Sequence, residues 1–216
     1  MAPRYVNDRW ALETAQSLGH LAPRQQWTHL FINGIYWGIY ALSERPDEHF
    51  AAQHLGLKKD ALDLWNGEKL RHGLSDGREL AEQFLKEDFG NDPESFKKLE
   101  EIVDLPALID HLICQIYQGK VDWPERNYLL IGRRASAPQF YFGAWDSETG
   151  FYHKEVSLGM LNRNALTYEP VEEPVFLMDE HGPGFWLQHL SESEEFRLQF
   201  AAVSYTHLTL PTILLV

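Results

Sequence analysis

The order of apolar and polar positions divides the chain into distinct pieces. Residues 27–42 read Trp-Thr-His-Leu-Phe-Ile-Asn-Gly-Ile-Tyr-Trp-Gly-Ile-Tyr-Ala-Leu. Apolar, β-prone runs flank Asn33-Gly34, a pair that tolerates the positive φ of a tight hairpin turn. Antiparallel strands are therefore expected over 28–32 and 35–42, with Gly38 marking a bulge or a close backbone approach. Upstream, Ala11, Ala15 and Leu18 recur at helical spacing with Trp10 beside them. They predict an opening helix capped by Asn7 or Asp8 and stopped by Gly19. A further helix over 47–55 ends at Gly56. Residues 57–78 read as polar and irregular, with one apolar run at 62–65.

Amphipathic helices follow over 79–89 and 93–101, the second opened by Asp92-Pro93. Asp104 caps a stronger helix over 106–118, in which Leu108, Leu112 and Ile116 share a face and after which Gly119 stands. Strands over 128–133 and 139–144 are joined by a short loop containing Ser136 and Pro138. Residues 150–175 are loop-rich, and helices close the pattern at 184–190 and 193–201. Hairpins interleaved with helices predict an α+β class.

The end of the chain breaks this pattern. Residues 203–216, Val-Ser-Tyr-Thr-His-Leu-Thr-Leu-Pro-Thr-Ile-Leu-Leu-Val, carry no formal charge and follow a charge-rich stretch abruptly. They resemble a translated sequencing-adapter tail and are set aside as non-native, the alternative being a strand over 205–210. The domain is then 1–202. Its first residues lack the apolar core of a signal peptide, and they enter structure so soon that a missing front is expected. No stretch reaches membrane-spanning length.

Charge and composition narrow the chemistry. Acids outnumber bases 32 to 19 in 216 residues, a formal net charge of −13. That disfavours nucleic acid as the main partner. Cys114 is the single cysteine, which excludes an intrachain disulfide and a cysteine-based zinc site. His20, His29, His49 and His54 show no metal-ligand spacing and read as surface or hydrogen-bonded residues. Arg133-Arg134 reads as a solvated pair. Tyr36, Trp37 and Tyr40 offer a sugar-stacking platform, with core packing and hairpin stabilisation as the simpler explanation.

One constellation remains. Asp122-Trp-Pro-Glu-Arg-Asn127 places an Asp and an Asn in the D-x-x-x-x-N spacing by which protein kinases hold a base and a metal ligand. A strand pair follows, and then Trp145-Asp146-Ser147-Glu148, so that the hairpin returns Asp146 beside Asn127. Phosphoryl transfer needs such a set, a carboxylate base with oxygen ligands for a metal. Helix-capping Asp and turn Asn account for the spacing equally well on their own.

The order of larger blocks adds specificity. Gly19-His-Leu-Ala-Pro23 precedes the hairpin block 30–44, and Gly119-Lys-Val-Asp-Trp-Pro-Glu-Arg-Asn127 precedes Phe140-Tyr-Phe-Gly-Ala-Trp-Asp-Ser-Glu148. This arrangement resembles the spore-coat protein H (CotH) kinase family of atypical protein kinases over about residues 5–202, most clearly at 29–50 and 119–150. The resemblance implies an atypical kinase-like fold. It also implies transfer of phosphate from ATP, with Mg²⁺, to Ser or Thr of an extracytoplasmic protein, in the cell envelope or outside the cell. By resemblance Asp122 is the catalytic aspartate, Asn127 a metal ligand or loop-orienting residue, and Asp146 the principal Mg²⁺ ligand. Trp145 packs beside the nucleotide and Glu44 lies near one end of its cleft. Glu148 stands where many members have Asp and is one methylene longer, a weaker fit to direct coordination. The phosphate-clamping basic residue of the family precedes residue 1, which implies an incomplete nucleotide lobe. A catalytically silent surface or adhesion module on the same fold is the alternative.

Overall fold

The computed structural model describes residues 5–87, 89, 93–120, 123–124, 126–134, 139–151 and 181–209. The chain opens with α1 (Tyr5–Ser17) and a hairpin of β1 (Gln25–Ile32) and β2 (Ile35–Ser43). Then come α2 (Glu48–Leu55), a short 3-10 turn, β3 (Leu62–Asn66) and β4 (Lys69–His72). Three helices follow, α3 (Asp76–Glu87), α4 (Pro93–Ile102) and α5 (Leu105–Gln118). After β5 (Tyr128–Arg133) and β6 (Gln139–Ala144), helices α6 (Pro183–Leu190) and α7 (Glu194–Thr209) end the described chain. The class is α+β. β1 and β2 form one antiparallel sheet, and a second runs in the order β4-β3-β5-β6 with every pair antiparallel.

The hairpin forms where Asn33-Gly34 places it, both residues at positive φ. The bulge also forms: Leu30 pairs with Gly38 and Phe31 with Tyr36, so Trp37 is the extra residue. The core-packing expectation for Tyr36, Trp37 and Tyr40 fails, because all three are exposed. They line one open hollow with Trp27, since the bulge interrupts simple strand alternation.

Residues 57–78 are more ordered than their polarity implies. Leu62, Leu64 and Trp65 form the heart of β3, a strand buried on both faces between β4 and β5. Such a strand reads as a plain apolar run without alternation. Arg134 is not simply solvated either. It pairs with the buried Asp63 carboxylate at 2.6 Å and donates to the Asp60 carbonyl at 3.2 Å. In α1 the buried apolar residues are Ala11, Leu12 and Ala15, while Leu18 lies beyond the helix end and is half-buried.

The main core sits between the four-stranded sheet and α3, α4, α5, α6 and α7. Trp186 is fully buried, edge-on to Phe140 at 6.0 Å and to Phe142 at 5.4 Å. Removing such a ring costs about 3–5 kcal/mol. Phe196 and Phe200 carry α7 onto the same core, with Val203 partly buried against it. The helix continues through Thr209, so the strand alternative for this region is not what forms. Among the described residues no helix is long and apolar enough to cross a membrane.

Candidate functional site

α5 delivers the chain to the site. Asp104 caps its start by accepting from the Ala107 amide at 3.2 Å, worth about 1 kcal/mol. Gly119 ends it at φ 57°, a left-handed cap in which a side chain is strained. The next residue, Lys120, is fully buried. Its Nζ donates to the Asn127 carbonyl at 2.7 Å, the Trp145 carbonyl at 2.6 Å and the Ser147 hydroxyl at 3.3 Å. An ammonium taken out of water requires such acceptors, because unsatisfied burial is costly.

The β5–β6 ladder sets the rest of the geometry. Tyr128 pairs with Ala144 at its end, so Asn127 and Trp145 leave the sheet side by side. Asn127 has φ 63° and Asp146 φ 48°. The left-handed region costs a non-glycine residue roughly 1–2 kcal/mol, least for Asn and Asp. Such turns persist where surrounding groups hold them, and functional sites use them often.

α1 closes another side. Asp8 accepts from the Ser147 amide at 2.7 Å and from Gln25 Nε2 at 2.6 Å. The Asn7 amide donates to the Gly150 carbonyl. Neither residue is the helix cap that its position suggests. Both lie in the first turns of α1 and reach across to the 147–150 loop.

The sequence-expected site residues thus fall in three places. Asn127 stands one residue before the end pair Tyr128–Ala144 of the β5–β6 ladder and Asp146 two residues after it, with half-buried Trp145 between the ladder and Asp146 and with Glu148 exposed on the same loop. Asp122 lies outside the described residues. Glu44 sits at the base of the hairpin, where it accepts from the Arg24 amide at 2.9 Å and faces His54 Nε2 at 3.4 Å. Those partners belong to β1's approach and to α2, not to the loops that carry Asn127 and Asp146. Among the described residues no group of three or more His, Cys, Asp or Glu side chains gathers for a metal. The donor set at the sheet end is instead an amide and carboxylates, all oxygen ligands, the type that Mg²⁺ prefers.

Beneath the site, His111 of α5 packs against Trp123 at 6.2 Å and Phe142 at 5.9 Å. Burial, helped by the positive charges of Lys120 and His20, pushes its pKa down to about 3. It is neutral at pH 7. Burial, with Asp110 nearby, pushes the Cys114 thiol up to about 12, which removes it as a nucleophile. His20 is hydrogen-bonded to Asp110 at 2.6 Å, in keeping with the expectation for the histidines.

Lys120, Asn7 and Asp8 were not legible as site residues. The one available signal was a lysine directly after the helix-ending Gly119. A family model described as CotH kinase protein matches residues 1–210. No curated protein matches the chain.

Proposed function

The chain belongs to the CotH kinase family, and on that premise we propose that it is a kinase-like phosphotransferase domain acting on a protein. The reading takes ATP with Mg²⁺ as phosphoryl donor and a Ser or Thr hydroxyl of an extracytoplasmic protein as acceptor. What supports it is that Asn127 and Asp146, each in the left-handed region, both lie next to the same end of the β5–β6 ladder.

The roles are those that the family resemblance implies. The hydroxyl oxygen attacks the γ-phosphorus, the bond to the β,γ-bridging oxygen breaks, and ADP leaves. Asp122 takes the hydroxyl proton. The Asn127 amide and the Asp146 carboxylate would hold Mg²⁺, with Glu148 as a longer and more exposed supplement. When bound, Mg²⁺ supplies charge neutralisation for the phosphate oxygens. Trp145 offers an aromatic wall to the nucleotide. Glu44 is tied to Arg24 and His54, so its role is to fix the base of the hairpin.

Replacing Asp146 with Ala removes a metal ligand while leaving the buried core intact. Transfer of labelled phosphate from ATP to a Ser/Thr substrate is expected to fall at least about 100-fold, with an unchanged circular dichroism spectrum. Retained transfer in the folded variant argues for different chemistry. A specific observation favours a binding role as a second reading. The hairpin exposes Phe31, Ile35, Trp37 and Ile39 together, more apolar surface than a catalytic strand pair needs. A chain that binds a protein partner but neither nucleotide nor metal fits that reading.

A further inference from the structure

We propose that Lys120 is the positioning residue of the site: its buried ammonium straps the Asn127 turn to the Asp146 turn and so sets how the two oxygen ligands face each other. The inference rests on the reading that these two residues hold the metal and nucleotide.

The geometry is specific. The Asn127 carbonyl belongs to the peptide unit that fixes ψ of Asn127. The Trp145 carbonyl belongs to the peptide unit that fixes φ of Asp146. Lys120 holds both, at 2.7 and 2.6 Å, and reaches the Ser147 hydroxyl at 3.3 Å. One cation therefore constrains the two backbone torsions from which the ligand side chains hang. Both residues occupy the left-handed region, where a loosened turn relaxes toward negative φ and swings the side chain away.

The residue type suits the task. An ammonium is a compact donor with three N–H groups, and the acceptors described above, two carbonyls and a hydroxyl, suit such a donor. A planar guanidinium spreads its donors over a fork and does not fit the same point. A positive charge does not attract a second cation, so the effect of Lys120 on a metal is geometric. The strap is anchored at both ends. Gly119 fixes the backbone before Lys120, and Asp8 holds the Ser147 amide from the other side at 2.7 Å. A flexible lysine loses most of its rotamer freedom in this arrangement, a cost that a merely space-filling residue would not carry.

The test compares Lys120→Met, which keeps the volume and removes the donors, with Phe200→Ala, a core variant on α7. Mg²⁺·ATP affinity is read by calorimetry at a temperature where circular dichroism shows both folded. Amide hydrogen exchange is read for peptides spanning 126–134 and 144–151 and, as reference, 25–43. The expected result for Lys120→Met is at least a tenfold loss of affinity, with faster exchange confined to the two site peptides. Phe200→Ala is expected to keep affinity within twofold. A folded Lys120→Met with wild-type affinity and wild-type exchange overturns the proposal. If the wild type itself takes up no Mg²⁺·ATP, the functional reading fails, and exchange alone decides the strap. Local acceleration then supports it, and uniform or absent acceleration overturns it. If Lys120→Met does not fold, Ser147→Ala replaces it: faster exchange in the same two peptides supports the strap, and unchanged exchange overturns it.

Discussion

His111 shows at the residue scale how burial sets a charge state. Its pKa in the folded chain is about 3, below the ordinary 6.5. Between those values the unfolded chain binds a proton that the folded chain does not. Stability therefore falls as pH drops through that window, and this contribution levels off below it. The melting temperature is expected to decline from pH 7 to pH 4, with a shallower decline in His111→Gln, as followed by circular dichroism. Equal slopes in the two proteins exclude His111 as the source. The burial of His111 was not legible from its type, because His sits on helices of every exposure. Lys120 was hidden for the same reason: a lysine in a sequence reads as solvent-facing. The acids fared differently. Asp104 and Asp47 cap α5 and α2 as their positions indicate. Asp8 looks the same in sequence but spends its carboxylate on Ser147 and Gln25, across a chain separation that no local pattern reports.

At the scale of elements, local patterns were most reliable where both partners of an interaction lie close in sequence. β5 and β6 form over 128–133 and 139–144 as read, and the bulge falls at Trp37, next to the glycine that marks it. β3 was missed because its meaning depends on β5, far along the chain, which covers its second edge. The docking of α6 is equally non-local. A Cβ at Gly184 would lie 2.6 Å from Pro124 Cγ, a rigid ring atom in the loop that follows Asp122. Gly184→Ala gains about 1 kcal/mol in helix propensity but must displace that loop, and overpacking costs about 1–3 kcal/mol. A net fall of a few degrees in melting temperature is expected, read by scanning calorimetry. A rise in melting temperature shows that α6 sits less tightly on the loop.

For the whole molecule, charge and architecture act together. The formal charge of −13 repels free ATP at long range. In the proposed reading a divalent cation would offset the phosphates of the nucleotide. The place proposed for it is where a four-stranded sheet covered by five helices ends in two turns held by Lys120 and Asp8. The second sheet, the exposed β1–β2 hairpin, stands apart from that core. The family was legible from blocks spread along the sequence: 119–127 and 140–148 bracket the β5–β6 ladder, while 30–44 forms the separate hairpin. We propose, as the sequence indicates, that 1–202 is the native domain. The helical course through Thr209 and the family match through residue 210 both extend past that boundary, so mass spectrometry of the natural protein is the direct check.

The most direct measurement is calorimetric titration of ATP into the full chain, with Mg²⁺ and then with excess chelator, repeated on Asp146→Ala and Asn127→Ala. The account predicts binding to the wild type only when Mg²⁺ is present, weakened at least tenfold in each variant. Absent binding to the wild type, or equal affinity in all three proteins, contradicts it.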